Sequence, residues 1–413
     1  MEIFGLPFRE GRLTRKTDDF EIELEIDRQP YGIVLSGRLK GKPRRLQVCR
    51  LPLKSESDAL FLNNWQSWGP ARVISFHTLK HLPLEQFAGL GYSAHPLPES
   101  LKQNPISDYF IVAEGRLLGF LSSSIGHPFF VVEGDEVAGY IEYFDREFED
   151  FVPIEKMVIL DHRLLEKSLE LYADLVRMEN APAFSSWNPV GWCSWYQYFD
   201  KLTWKDIEEN LELAESMEKG YEFFQIDDSW QVDIGDWRPK ESFPELEEMA
   251  SAISSKGFVP GLWLAPFSVA ETSQLAKNHP EWLVKDESGS PLIAYRNWDK
   301  AIYALDTSHP EALRWLENLF VSFKKAGFRY FKIDFLFAGA VPGKRYKRVS
   351  PVEAYREGLK VIRKTLDGCF ILGCGAPLLP SVGYVDGMRI GPDTAPTYQP
   401  DPLNLFELNA YTA

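Results

Sequence analysis

The sequence predicts an all-β domain followed by an α/β barrel. Three observations carry that expectation. The first ~160 residues hold short alternating strands separated by Gly, Pro, Asp and Ser, the pattern of an antiparallel sandwich. From residue 190 the pattern changes to alternating strand and helix, which calls for a parallel sheet. The phrases KGY, KGF and AGF, each a helix stop followed by a strand, repeat there as βα units.

In the first part, FEIELEID (20–27) alternates strictly, and YGIVLSGRLKG, RRLQVCRL, DYFIVAE, RLLGFLSS, FFVVEG and EVAGYIEYF follow. Between strands lies NNWQSWGP (63–70), whose Trp65 and Trp68 either plug the sandwich core or form a lid over a neighbouring sugar site. The domains expected are a β-sandwich over 1–163, a helical linker over 164–189, a barrel over 190–396 and an atypical tail over 397–413. In the linker, Leu165, Leu169, Tyr172 and Val176 give one apolar helix face.

VGWCSW (190–195) is the first barrel strand, and Thr203 caps a helix ending at Gly220. KGYEFFQIDD, a helix over about 244–256, KGFVPGLWLAP, a long loop, a helix over about 310–326 and AGFRYFKIDF follow. Ser350, Pro351 and Glu353 supply an N-cap, a first-turn proline and a capping-box acid for a helix to about 366. CFILGCG and VDGMRIGPD supply strands five and six. A doubly wound sheet is the competing architecture, but no G-x-G-x-x-G opens a helix.

The chain has 413 residues and a net charge of -15, so a polyanionic partner is repelled; nucleic acid and anionic membrane surfaces are poor candidates. Cys49, Cys193, Cys369 and Cys374 form no C-x-x-C pair, which suits a reduced cytoplasmic protein without structural zinc. No apolar run long enough for a membrane span occurs, and the start has no signal-peptide core. The reading is a cytoplasmic protein needing no cofactor.

The strand ends carry Trp192 after strand one, Asp227 and Asp228 after strand two, Trp263 on strand three, Lys332 and Asp334 on strand four, Cys374 on strand five, and Arg389 and Asp393 on strand six. Singly, each has a bland explanation: a strand-end Asp is often a helix cap, and a Cys a small core residue. Four acids, two cations and two Trp on one rim instead fit a polar, neutral ligand between aromatic walls. No His falls on a predicted strand end, which argues against a metal there.

VGWCSW, FFQIDD, YFKIDF, ILGCG and MRIGPD, in that order after a β-domain with NNWQSWGP, resemble the α-galactosidases of glycoside hydrolase family 36, close to the thermophilic bacterial enzymes. The likeness runs to about Pro396. It implies a (β/α)8-type barrel, of which about six units are present, and a retaining hydrolase acting on galactosides such as raffinose and melibiose. By that likeness Asp334 is the nucleophile and Asp393 the acid/base. Asp227 and Asp228 bind the galactose 4- and 6-hydroxyls, Lys332 the 3- and 4-hydroxyls, Arg389 with the Cys374 loop the 2-hydroxyl side, and Trp65, Trp192 and Trp263 wall the ring.

Residue chemistry agrees with such roles. Lys332, on the same strand face as Asp334, would hold that acid ionised. Asp393, after a Gly-Pro turn, is free to sit in less polar surroundings and keep its proton, although Arg389 could act on either acid. The sequence TYQPDPLNLFELNAYTA does not resemble the family and suggests a truncated chain, poorly folded or inactive alone unless an oligomer closes the barrel. A galactosyltransferase of raffinose-synthase type and a non-catalytic galactoside binder are the competing functions.

Overall fold

The computed structural model describes residues 2–3, 5–7, 9–53, 59–69, 71–75, 95–97, 104–161, 165–181, 185–217, 220–391 and 393. The expected 397–413 tail lies outside the described residues.

Up to Asp161 the chain is mostly sheet. Among the described residues, one antiparallel sheet has six strands and the other nine. Alternation sets the sidedness: in the strand Phe20–Gln29, Ile22, Leu24 and Ile26 are buried while their intervening neighbours are acidic or half-exposed. The helix Leu165–Asn180 then lies on this domain, its Tyr172 hydroxyl donating to the Phe120 carbonyl at 2.6 Å.

The second part is built on six parallel strands, β1 (Gly191–Cys193), β2 (Phe223–Ile226), β3 (Val259–Leu264), β4 (Tyr330–Ile333), β5 (Phe370–Cys374) and β6 (Gly387–Arg389), paired in that order. Sequential parallel order makes this a partly curled sheet, a portion of a barrel wall. An eight-strand closure is not seen among the described residues.

The connecting helices follow the sequence signals. Thr203 and Asp206 form a reciprocal capping box for Trp204–Ser216, and Ser350 with Glu353 does the same for Pro351–Thr365. Gly327, at φ 116°, ends Pro310–Ala326 in the left-handed conformation that a side chain would disfavour. Leu316, Phe320 and Phe323 of that helix are fully buried, and Phe320 meets Phe331 of β4 at 6.0 Å between ring centres.

The long loop expected between strand three and the next helix is instead a three-stranded antiparallel excursion formed by Ser268–Ala270, Lys300–Ala304 and Ile293–Asn297. Its hairpin turns at Trp298 and Asp299, both at positive φ (51° and 56°), the twist that a two-residue hairpin loop requires.

The two parts share one apolar core running from Ile22 and Leu35 through Trp65 and Phe337 to Ile333 and Ile371. Polar contacts close the seam. Gln66 bridges Pro377, Ser67 N–H donates to Ala376 O at 2.9 Å, and Gly391 N–H donates to Ser67 O at 2.8 Å. Arg146 pairs with Glu353 at 3.2 Å, and the Ser350 hydroxyl donates to Ile125 O.

Because Phe331 carries the outer face of the strand that bears Lys332, its truncation tests whether this helix–strand contact holds the barrel wall. Phe331→Ala is expected to lower the unfolding free energy by ~3–5 kcal/mol and Phe331→Leu by clearly less, measured by chemical denaturation.

Candidate active site

Parallel register decides which side chains meet. Cys193 pairs with Gln225, Trp263 with Lys332, Lys332 with Leu372, and Cys374 with Arg389. In-register neighbours share a face, so Cys193, Gln225, Trp263, Lys332, Cys374 and Arg389 project to one side. The other side carries Phe224, Leu262, Phe331 and Ile371, which are buried apolar residues.

Trp192 lies on that apolar side and not with the polar set. It pairs in register with Phe224 and stacks on it at 4.1 Å and 18°, with Tyr198 at 6.4 Å. The expectation that Trp192 walls the site is therefore corrected by strand parity.

Lys332 is the hub of the polar side. Its Nζ stands 2.9 Å from Asp227 Oδ2 and 3.6 Å from Asp334 Oδ2, with all three side chains at most 7% exposed. Burial pushes the ammonium pKa down, but Asp227 and Asp334 outweigh it and raise it well above the ordinary lysine value. Asp227 is fixed further by Gln225 Nε2 and by Cys193 Sγ at 3.3 Å. Its backbone N–H donates to Ser194 Oγ at 2.9 Å.

Asp334 follows β4. Trp263 Nε1 donates to its Oδ2 at 2.9 Å, and Phe335 N–H to its Oδ1 at 2.8 Å. Phe335 is held at φ 51°, a costly conformation for a bulky residue. That bend lays its ring on Tyr295 at 5.1 Å and 5°, with Trp298 at 5.1 Å and Trp68 at 4.9 Å.

Asp228 accepts from Gln231 Nε2 at 2.6 Å and from Trp298 Nε1 at 2.8 Å. Burial raises its pKa, assisted by Asp227 and opposed by the Gln231 and Trp298 donors. After β6, Asp393 Oδ1 pairs with Arg389 Nη1 at 2.9 Å, and its Oδ2 accepts from Trp195 Nε1 at 2.8 Å. The less polar surroundings expected for Asp393 are thus replaced by a cation and an indole donor. Arg389 Nη1 also lies 3.7 Å from Cys374 Sγ. Burial, with Asp334 nearby, pushes the Cys374 thiol pKa well up, so the sulfur stays a neutral thiol at ordinary pH.

The loop of the first domain reaches this site with the other tryptophan. Trp65 is 2% exposed, against His95, His127 and Phe337 at 5.7 to 6.5 Å, and its carbonyl accepts from the Tyr109 hydroxyl. Of the two roles the sequence leaves open for Trp65, this packing fits the core plug. Trp68, three residues on, donates from Nε1 to Cys374 Sγ at 3.2 Å.

The polar rim therefore includes Trp68, which the sequence offers as a lid residue, and three residues that sequence reasoning missed: Trp195, Tyr196 and Trp298. Trp195 and Tyr196 continue the VGWCSW motif, so adjacency was their signal; Trp298 had none, because its hairpin read as a loop.

Among the described residues, one group has metal-ligating character, His95, Asp108 and His127, in the first domain beneath Trp65. His127 Nε2 lies 2.7 Å and His95 Nε2 3.0 Å from Asp108 Oδ1. Leu97 N–H donates to His95 Nδ1, which puts the His95 proton on the nitrogen facing Asp108. That is a hydrogen-bonded relay, with the donor nitrogen in the place a metal would need a lone pair.

Residues 25–161 match the α-galactosidase N-terminal family model and residues 154–350 the melibiase model. An α-galactosidase from Thermus thermophilus, solved in complex with stachyose, superposes with a TM-score of 0.71 at 26% identity, covering 94% of this chain and 80% of that one. The chain belongs to glycoside hydrolase family 36.

Other members are more distant. The family 36 α-galactosidase AgaA from Geobacillus stearothermophilus shares the fold at 15% identity and a TM-score of 0.64, over 95% of this family 36 chain and 58% of that one. The α-galactosidase Mel36A of Lactobacillus acidophilus is 26% identical over 191 residues, 41% of this chain and 26% of the relative. A myogenesis-regulating glycosidase of Mus musculus is 26% identical over 144 residues, 33% of this chain and 19% of the relative. The matches span 12% to 26% of the length of the curated relatives.

The two loop tryptophans are expected to separate in a melting experiment. Trp65→Ala removes a filled core position and should cost ~3–5 kcal/mol, whereas Trp68→Phe should leave the unfolding free energy within ~1 kcal/mol. Differential scanning calorimetry on the two variants reads the contrast directly.

Proposed function

We propose that the chain is a retaining α-galactosidase that removes terminal α-linked galactose from small oligosaccharides of the raffinose and melibiose type. The observation that carries this reading is the buried Asp227–Lys332–Asp334 array at the ends of β2 and β4, with the Arg389–Asp393 pair after β6. It is supported by family membership and by the Thermus relative's stachyose complex.

Asp334 is the nucleophile in this reading. Lys332 and Trp263 hold one of its oxygens and the Phe335 amide the other, so its direction of attack is fixed before substrate arrives. Asp393 protonates the departing oxygen and then deprotonates water, the two-step exchange of a double displacement. Asp227, Asp228 and Lys332 offer two acceptors and one donor for the 3-, 4- and 6-hydroxyls. Arg389 and Cys374 face the 2-hydroxyl side, and Trp263 with Trp68, Trp298 and Phe335 forms the apolar wall. The chemistry needs no cofactor, and a small neutral sugar suits a negatively charged protein.

Two variants test the assignments. Asp334→Gly is expected to lose hydrolysis of nitrophenyl α-galactoside by several orders of magnitude and to regain turnover with azide, giving β-galactosyl azide. An α-configured azide would sink the nucleophile role. Asp393→Ala should slow raffinose far more than the activated aryl galactoside, since only raffinose needs proton donation at departure. Equal losses on both would leave Asp393 a sugar-positioning group.

A further inference from the structure

Asp393 is gripped from two elements at once. Arg389, at the end of β6, takes Oδ1; Trp195, on the helical turn Trp195–Tyr198 that follows β1, takes Oδ2. An indole N–H only donates, so the oxygen that faces it stays an acceptor throughout any reaction. The guanidinium is different, because the same Nη1 that pairs with Asp393 is within reach of a second partner, Cys374 Sγ at 3.7 Å.

We propose that Trp195 and Arg389 are positioning residues that give the two oxygens of Asp393 different tasks: Trp195 keeps Oδ2 as a fixed acceptor, and Arg389, shared between Oδ1 and the Cys374 thiol, answers the charge on Oδ1 as its proton leaves and returns. This rests on Asp393 being the acid/base. In the first half-reaction the Oδ1 proton passes to the glycosidic oxygen as its bond to the anomeric carbon breaks and an Asp334 oxygen bonds to that carbon. The ionised Oδ1 then takes the Arg389 ion pair. In the second half-reaction water loses a proton to Oδ1 while its oxygen bonds to the anomeric carbon and the bond to Asp334 breaks. The cycle closes with no net proton change on the protein.

The surroundings permit this exchange. Titratable groups that face Asp393 among the described residues include Arg389 from β6 and Tyr196 from the helical turn. Burial pushes the Tyr196 hydroxyl up to about 12, although Arg389 and Lys332 oppose the shift, so it is neutral where the enzyme would work. Lys332, Cys193, Cys374 and Asp334 stand one step behind, around Tyr196 and Arg389. Arg389 is the charge placed beside both Oδ1 and the Cys374 thiol.

The signs of two substitutions test the idea. Trp195→Phe removes a donor to the ionised carboxylate, so the proton is kept to higher pH; the alkaline limb of kcat/KM should move up by ~0.5–1 pH unit. The loss on raffinose should exceed the loss on nitrophenyl α-galactoside by ~10-fold, and Trp195→His, which returns a ring N–H, should recover part of both effects. Cys374→Ala removes the second seat of Arg389, leaves it on Asp393, and should move the same limb down. A limb unmoved in both variants, moving the same way in both, or a change in KM alone overturns the proposal. A carboxyl-carbon NMR titration of the full chain labelled at aspartate, with the Asp393 signal assigned by Asp393→Asn, gives the same signs without turnover. Wild-type chain that releases no nitrophenol while the titration midpoints still move would count against the galactosidase reading and for the Trp195 coupling. Normal turnover with unmoved midpoints would do the reverse.

Discussion

The rest of the structure depends on one buried cation. Lys332 sits almost out of water between Asp227 and Asp334, and an unpaired ammonium there would be forced to give up its proton. The two carboxylates hold it charged, and it in turn lets two acids of like sign approach each other. Removing Lys332 leaves two buried carboxylates uncompensated, and removing either acid takes away one of the two partners that keep the cation charged. The site is therefore specified as a unit, and β2 and β4 must keep their register with β3 for it to exist.

Indole N–H groups provide the remaining order. Trp263 donates to Asp334, Trp298 to Asp228, Trp195 to Asp393 and Trp68 to Cys374. Each indole comes from a different element: strand β3, the antiparallel excursion, the turn after β1, and the loop of the first domain. A donor that never titrates orients an acid without competing for its proton, while its ring supplies an apolar surface. The high tryptophan content thus does two jobs at one place.

The seam between the two parts explains why the β-domain belongs to the site. The Gln66–Pro377 bridge and the Ser67 contacts to Ala376 and Gly391 fix Trp68 over β5. Trp65 anchors the loop from below, packed over the His95–Asp108–His127 relay. Separating the domains would remove Trp68 from Cys374 and expose the shared core.

Much was legible in the sequence because it depends on local period. Alternation in FRYFKIDF alone put Lys332 and Asp334 on one face, and the Gly stops and capping boxes marked the parallel strands and their helices. Trp192 and Cys193 show where that reasoning ends: adjacent residues point to opposite faces, and only pairing with β2 tells which face is which, since a one-residue shift exchanges them. Trp65 and Trp68 are equally ambiguous, three apart in a loop without period. Trp298 and Trp195 reach their acids across 70 and 198 residues of chain, distances that no local pattern encodes. The sequence by itself determined which parallel strands the second part has and which charges they carry at their ends. Tertiary structure alone decided which tryptophan meets which acid, because that contact is set by the register and packing of elements far apart in the chain.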